Sequence, residues 1–313
     1  MADSIGGLIA GPFMYLAVAV FVVVTLKKVV TIAAMPRHLR WDLYPIAHEG
    51  PAGSVFQQAE FWRQPRAYHF ALELKEMAEE ILLLKRTFLY NRKIWNFSYP
   101  MHAGFYLICG WLGLVLAGGL VELAAGVKVA AAQVFWAQAL NAVTVAAGAA
   151  GLVFGLYGCL GLLWMRYTDE NLREYSSPVT YLNLYLLIAL FAVGLAAWLT
   201  EDVSFALARG YAAALLTFSP AALPPLMTLE ALLFGVFLIY LPFSRMLHFA
   251  AKYFFYHNIM WDDELLVVGG GLDKAVGGYL HYRAQWTAPH LKAGDSWLEQ
   301  ATTNPARPKE EGK

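Results

Sequence analysis

Five long apolar runs constrain this chain more than any other feature of its sequence: Gly7 to Leu26, then roughly 101–124, 134–165, 179–200 and 226–250. At about 1.5 Å of rise per residue, each is long enough to cross a hydrocarbon core of ~30 Å as a helix. Backbone inside hydrocarbon must satisfy its own hydrogen bonds, so such runs fold as helices rather than loops. The expected fold is an all-α integral membrane protein: a five-transmembrane-helix bundle with a cytoplasmic first loop and C-terminal tail. Composition agrees, since 59% of the 313 residues are hydrophobic and only 15% are charged, where soluble domains run to about a quarter charged. A soluble enzyme is excluded, and zero net charge gives no reason to expect nucleic acid as a partner.

Lysine and arginine set the expected orientation. Eleven lie between Lys27 and Lys93, one in the next loop (Lys128), two in the third (Arg166, Arg173), one in the fourth (Arg209), and eight from Arg245 onward. Positive charge stays inside, which puts the N-terminus in the periplasm, the first loop and tail in the cytoplasm, and the chain in a bacterial inner membrane. Asp3 precedes the first run and Lys27-Lys28 follow it, the reverse of a secretory signal, so that run reads as an uncleaved anchor. The expected organisation is a membrane domain over 1–255, with a cytoplasmic loop at about 35–98 between the first two helices, and a partner-docking tail over 256–313. In the loop, Tyr68 to Arg86 predicts an amphipathic helix with Phe70, Leu74, Met77, Ala78, Ile81 and Leu84 along one stripe. Such a stripe suits membrane lipid or a partner. Gly269-Gly270-Gly271 lacks the Lys-Ser/Thr that a phosphate loop needs.

Chemistry concentrates in the histidines. There are eight, at 38, 48, 69, 102, 248, 257, 281 and 290, and none lies between 103 and 247. Only His102 and His248 fall inside expected spans, where an ionisable side chain is costly and marks function. His102 begins the second span and His248 ends the fifth, so antiparallel helices place both at similar depth near the cytoplasmic face. Two imidazoles facing each other across a bundle can supply both axial ligands of a haem iron. Cys109 and Cys159 lie inside apolar runs without a C-x-x-C-H, so the haem would be b-type and the cysteines packing residues. Arg245, Lys93 and Ser98 are candidates for contact with the haem propionates, with interface anchoring as the other reading of the two basic residues. His257 is the competing ligand. Hydrogen-bonded bundle histidines without any cofactor remain the alternative on spacing alone. The loop histidines His38, His48, His69, His281 and His290 read as surface or partner-contact residues.

These residues resemble the five-span cytochrome b (gamma) subunit of respiratory nitrate reductase, and are more similar still to its relatives in the membrane redox complexes of sulfate-reducing bacteria. In the last span, Leu241-Pro242-Phe243-Ser244-Arg245-Met246-Leu247-His248 looks like the family's Pro-Phe-Ser-Arg/Lys-x-x-His motif, whose histidine ligates the inner haem. In the second span, His102 in Tyr99-Pro100-Met101-His102-Ala103-Gly104 falls where the family has the other inner ligand. Pro36-Arg37-His38-Leu39-Arg40-Trp41-Asp42-Leu43-Tyr44-Pro45 and Trp286-Thr287-Ala288-Pro289-His290 look like the sulfate-reducer branch. The family pattern also holds an outer haem, with one ligand ten residues after the first histidine and another eighteen before the last. Here those positions are Leu112 and Glu230. Eighteen residues make five turns, which would put Glu230 on His248's face but ~27 Å away; its two readings are a residue of proton or quinone chemistry and a residue at the wet outer edge beside Pro224-Pro225.

The resemblance implies a membrane-anchoring cytochrome b subunit of a respiratory complex. It would pass electrons through one haem b between the membrane, with menaquinone as the expected quinone pool, or sibling subunits, and a cytoplasmic iron-sulfur subunit like that of heterodisulfide reductase. A periplasmic multihaem cytochrome c is a candidate sibling. The rival class is a haem-free polytopic anchor or transporter; a transporter would show paired repeats and interrupted spans at mid-membrane, which are not evident.

Overall fold

The structure, a computed structural model, describes residues 2–35, 46–49, 55–65, 68–219 and 221–303; the loop motif at 36–45, with His38, lies outside them. Twelve α-helices occur among the described residues. They are α1 (Ala2–Ala33), α2 (Phe70–Leu82), α3 (Lys85–Tyr90), α4 (Arg92–Ala125), α5 (Phe135–Thr168) and α6 (Glu170–Glu174). The rest are α7 (Pro178–Thr200), α8 (Ala206–Leu216), α9 (Pro225–Tyr240), α10 (His248–Phe255), α11 (Gly271–Tyr279) and α12 (Trp297–Thr302). Five helical segments are long and apolar enough to cross a membrane: Ala10–Ala33, Arg92–Ala125, Phe135–Thr168, Pro178–Thr200 and Pro225–Phe243. The all-α membrane bundle follows directly. The chain divides into two compact units, one of residues 1–25 and 77–246, the other of 26–76 and 247–313.

In the first unit the closest helix pair is α4 and α5, and glycine makes it so. Gly148, Gly151, Gly155 and Gly158 are all buried on α5, and Gly104 is buried on α4. A Cβ at Gly104 would stand 2.5 Å from the backbone nitrogen of Gly155 and 2.9 Å from the carbonyl oxygen of Gly151. Backbone cannot step aside for a side chain, so the two helices meet main chain to main chain, the packing that replaces hydrophobic exclusion inside lipid. Around this seam Leu152, Cys159, Leu187, Leu190, Phe191, Phe205 and Phe237 form the buried core. α1 lays Ala10, Met14 and Ala17 inward on one face, and Phe13 fills the space beside Gly235 of α9. Tyr211 and Tyr15 donate to the carbonyls of Ala10 and Leu215, closing α8 against α1.

Helix α8 departs from the expected loop between the fourth and fifth spans. Its sequence is mostly alanine and leucine, and eleven residues are too short to cross the membrane. It carries Arg209, counted above as a loop charge, into the interior: the side chain is fully buried and lies along Gly118, whose missing Cβ makes the room. Arg209 Nη2 donates to Asn141 Oδ1 at 2.8 Å and to the Ser204 carbonyl at 3.0 Å, and Nε pairs with Glu122 at 3.6 Å. Glu122 also accepts from Val129 N and Lys128. The turn into α9 is fixed by Glu201, whose two oxygens accept from Leu226 N and Met227 N, a carboxylate on the positive end of a helix.

The amphipathic segment is shorter than its sequence stripe. α2 stops at Leu82, Leu84 takes a left-handed conformation (φ 52°), and α3 begins at Lys85. Glu80 accepts from Arg86 N and so caps the restart. The residues α2 buries are Glu73 and Glu80, whereas Phe70 and Leu74 of the apolar stripe are exposed. Trp95 and Tyr106 of α4 donate to the carbonyls of Leu83 and Ile81.

In the second unit the tail folds on itself. Trp297 N and Leu298 N donate back to Tyr282 and Leu280, and Ala284 exchanges bonds with Gly294 and Asp295. Ser296 and Glu299 form a reciprocal capping box on α12, and the bonds from the Ser296 backbone and hydroxyl hold the Glu299 carboxyl below its usual range. Trp286-Thr287-Ala288-Pro289-His290 runs into a tight turn in which Ala288 and Leu291 exchange both backbone bonds, with Pro289 and an exposed His290 at its tip.

Two outcomes follow. Gly104→Val lowers stability by about 1–3 kcal/mol, the usual overpacking penalty, while Gly110→Val on the same helix, with nothing within 4 Å of its Cβ position, stays near wild type; thermal unfolding in detergent reads both. Arg209→Met removes the buried cation from Glu122, which keeps only Lys128 and Val129 N, and leaves Asn141 Oδ1 without its donor; it lowers stability by about 3–5 kcal/mol, the usual cost of breaking a buried ion pair.

Candidate haem site

His102 sits three turns into α4, half-buried. Asn91 caps this helix by accepting from Ile94 N, and Pro100 inside it has no N–H to give the carbonyl of Asn96. His102 Nδ1 lies 2.7 Å from the Ser98 carbonyl oxygen, with Ser98 Oγ at 3.5 Å from the same nitrogen. A carbonyl only accepts, so Nδ1 is the donor and the ring's lone pair is on Nε2. That is the tautomer a metal-ligating histidine needs, with the ring's orientation set from behind by main chain. One turn along, Phe105 meets Phe191 of α7 edge-on at 5.3 Å and Phe237 of α9 at 6.3 Å. The end of α4 that bears His102 is thus packed beside the last turns of the fifth span.

That span does not run through His248, as expected above. α9 ends at Tyr240; Leu241–Phe243 forms a 3-10 turn with Pro242 buried, and Ser244 is extended (φ −99°, ψ 171°). Pro242 has no N–H for the carbonyl of Leu238 and its ring clashes there, so the α-helix stops. Ser244 Oγ accepts from Met246 N and donates to the Leu241 carbonyl, capping the new turn Arg245–Leu247. His248 is the first residue of α10 and is exposed. The Pro-Phe-Ser motif is therefore a helix break that ends one helix and starts the next at the histidine. The interruption also removes the argument that Glu230 and His248 share a face by counting turns.

The competing histidine is engaged elsewhere. In the second unit, His257 lies in a π-helical turn, Tyr256–Met260. Its Nε2 is 2.7 Å from Glu73 Oε1, its Nδ1 2.8 Å from the Tyr253 carbonyl, and its ring stacks on Tyr253 at 4.1 Å. Tyr68 donates to the other Glu73 oxygen at 2.9 Å, and that bond is the main reason its phenol is pushed above the usual range. Both ring nitrogens of His257 are thus bonded to oxygens of this chain. Of the other candidates, Lys93 is exposed in the first turn of α4, Arg245 is exposed in the turn before His248, and Ser98 holds His102 through its carbonyl. Among the described residues, no cluster of three or more His, Cys, Asp or Glu could hold a bare metal ion. A haem asks less of a protein, two axial nitrogens, and imidazole is a side chain whose chemistry supplies them.

The outer positions offer no such fit. Leu112 has no donor atom. Next to it, Trp111 and Phe205 fill the space over Gly148, where a Cβ would stand 2.5 Å from the Phe205 ring. Phe205 reaches this position from a left-handed backbone (φ 54°) and also packs against Trp198. Glu230 is not at a wet edge: its Oε2 is buried and its Oε1 lies against Gly194 of α7.

The described residues form a bundle of apolar spans with a main-chain-oriented imidazole near the end of one of them, an arrangement that a membrane cytochrome b also needs. The family model for the nitrate reductase gamma subunit matches residues 86–261, and the chain belongs to that family. The match takes in the second to fifth spans and ends at Trp261; α1 lies ahead of it. No curated protein matches the chain, and no solved structure does. The family consists of haem b-containing membrane subunits of respiratory complexes, which assemble with other respiratory subunits in electron transport.

Because both nitrogens of His257 are already bonded, His257→Ala leaves the haem absorption spectrum of the purified protein unchanged; loss of the low-spin bands in that variant would make His257 a ligand.

Proposed function

We propose that this subunit holds one b-type haem between His102 and His248 and uses it to pass electrons between the membrane's quinone pool, or sibling subunits, and a cytoplasmic iron-sulfur protein. The observation that carries the reading is the 2.7 Å bond from His102 Nδ1 to the Ser98 carbonyl, in a chain of a haem b family. When bound, the haem supplies a one-electron couple at its iron. The residues do the rest. Ser98 keeps the His102 lone pair on Nε2 and the ring at a fixed angle. Pro242 and Ser244 stop the fifth span and start α10 at His248. Lys93, Arg245 and the Ser98 hydroxyl are the propionate contacts, and the seam of α4 with α5 and α7 excludes water on the buried side.

The count of one rests on Leu112 and Glu230, neither of which supplies an imidazole. Charge distribution sets the polarity: N-terminus periplasmic, first loop and tail cytoplasmic, in a bacterial inner membrane. The loop and tail motifs support the sulfate-reducer branch, with menaquinone as the pool, a heterodisulfide-reductase-like partner on the cytoplasmic side and a periplasmic multihaem cytochrome c as sibling.

Purified wild-type protein is expected to contain one haem per chain with a low-spin b spectrum, and His102→Ala and His248→Ala each abolish it. A spectrum that survives in both variants overturns the ligand assignment. Protein that never takes up haem points to a haem-free anchor or transporter.

A further inference from the structure

Between α2 and α3 the chain turns a corner at residues 82–84, and the last carbonyls of α2 have no partner within their own helix. Two of them are met by one spanning helix. Tyr106 of α4 donates its hydroxyl to the Ile81 carbonyl at 2.6 Å, and Trp95 donates its indole N–H to the Leu83 carbonyl at 2.9 Å. On the other side of the corner, Arg86 N donates to the Glu80 carboxylate at 3.0 Å. Water would satisfy such groups unaided, whereas within a bilayer they need partners in the protein.

The same two bonds to α4 fix the depth of the corner. Trp95 and Tyr106 are eleven residues apart (106 − 95), three turns, so they share one face of α4 and stand about 16 Å apart along its axis. Trp95 lies six residues before the apolar run at 101–124, and Tyr106 five residues within it. A corner gripped from both sides is level with the start of that run, where hydrocarbon gives way to headgroups. Tryptophan and tyrosine are the side chains that favour this level.

What the corner turns outward suits the same place. Leu82 and Leu83 are 53% and 50% exposed, Leu89 58% and Tyr90 85%. None of the four belongs to the stripe read from the sequence. Lys85 and Arg86 stand among these apolar residues, and Arg92 lies over the Phe88 ring at 3.4 Å. No acid occurs from Ile81 to Val121. Positive charge beside exposed leucines matches a surface that carries phosphates over acyl chains.

We propose that the α2–α3 corner is an interfacial membrane anchor whose occupant is the bilayer itself. Leu82, Leu83, Leu89 and Tyr90 insert between headgroups and acyl chains beside α4, and Lys85, Arg86 and Arg92 supply the charge that phosphates attract. The surface is continuous with the lipid-facing side of a span, which a soluble partner cannot reach.

The test uses the full chain in nanodiscs of mixed neutral and anionic phospholipid. Cys109→Ala removes the exposed thiol, Cys159 being buried, and a nitroxide is attached through Leu82→Cys or Leu89→Cys, both exposed positions that leave the packing untouched. Lys128→Cys in an exposed loop is the reference for water, and Val153→Cys, exposed midway along α5, the reference for lipid. Power-saturation EPR compares collisions with oxygen, which concentrates in hydrocarbon, and with a polar nickel chelate, which stays in water. The oxygen-to-chelate ratio at Leu82 and Leu89 is expected to exceed that at Lys128 by about threefold or more, as a polar solute is kept out of an apolar layer. A ratio equal to the Lys128 value overturns the proposal, because the corner is then in water. So does shielding from both reagents, the result expected if protein covers the corner. A Val153 label that also reads as aqueous would instead sink the assignment of α5 as a span, and the two failures are told apart within one set of samples.

Discussion

Gly104 facing Gly151 and Gly155 is the contact on which the rest of the membrane bundle depends. Lipid tails are as apolar as leucine, so helices inside a bilayer gain little by hiding oily side chains from solvent and associate through close packing instead. Where a Cβ would collide with main chain 2.5 Å away, no rotamer change can relieve it. The two longest helices, α4 and α5, are therefore locked in register. Everything α4 carries inherits that register: Phe105 against α7 and α9, Gly118 beside Arg209, and His102, two residues before Gly104. A helix clamped at Gly104 also holds the His102 backbone, two residues away, in a fixed place.

Much of this was readable from sequence because it depends on pattern rather than on partners. The five spans emerge from apolar length, and the observed helices differ from them chiefly at their ends. The Pro-Phe-Ser-Arg-x-x-His motif was recognisable as a string, and the family match supports that recognition. What the string does physically was not readable. A run of 25 apolar residues looks like one helix, and hydropathy has no means of marking that Pro242 and Ser244 break it. Only the geometry shows the proline ending α9, the serine hydroxyl capping the next turn, and His248 opening a new helix.

The larger omission was α8. Counting charges by loop assumes that a basic residue between two spans is wet, and Arg209 violates that assumption. Its helix is about 16 Å long, half a bilayer, and its Ala-Leu-Ala-Arg-Gly-Tyr-Ala-Ala-Ala-Leu-Leu sequence is a signal that apolar content alone could have raised. Its partners could not have been inferred, since Asn141 and Glu122 are 68 and 87 residues away in sequence. The Ser98 carbonyl was hidden for a different reason. A main-chain acceptor leaves no mark in the choice of side chain, although a histidine four residues after any helical carbonyl is in reach of it.

The two ends of the bundle spend buried polarity in opposite ways. At the His102 end, the buried donor has its acceptor: Nδ1 meets a carbonyl and the ring is fixed. Toward α8, aromatic rings occupy the space beside Leu112, and an ion pair locks the short helix in place. Packing there is dense enough that Phe205 accepts a left-handed backbone to complete it, a strain of about 1 kcal/mol or more that a looser core would not require. Within this region Glu230 Oε2, Trp111 Nε1 and Arg209 Nη1 are all buried without a hydrogen-bond partner. Each such group costs about 1–3 kcal/mol, so the dense packing beside Leu112 is reached with polar groups left unsatisfied, whereas His102 Nδ1 at the other end keeps its main-chain acceptor.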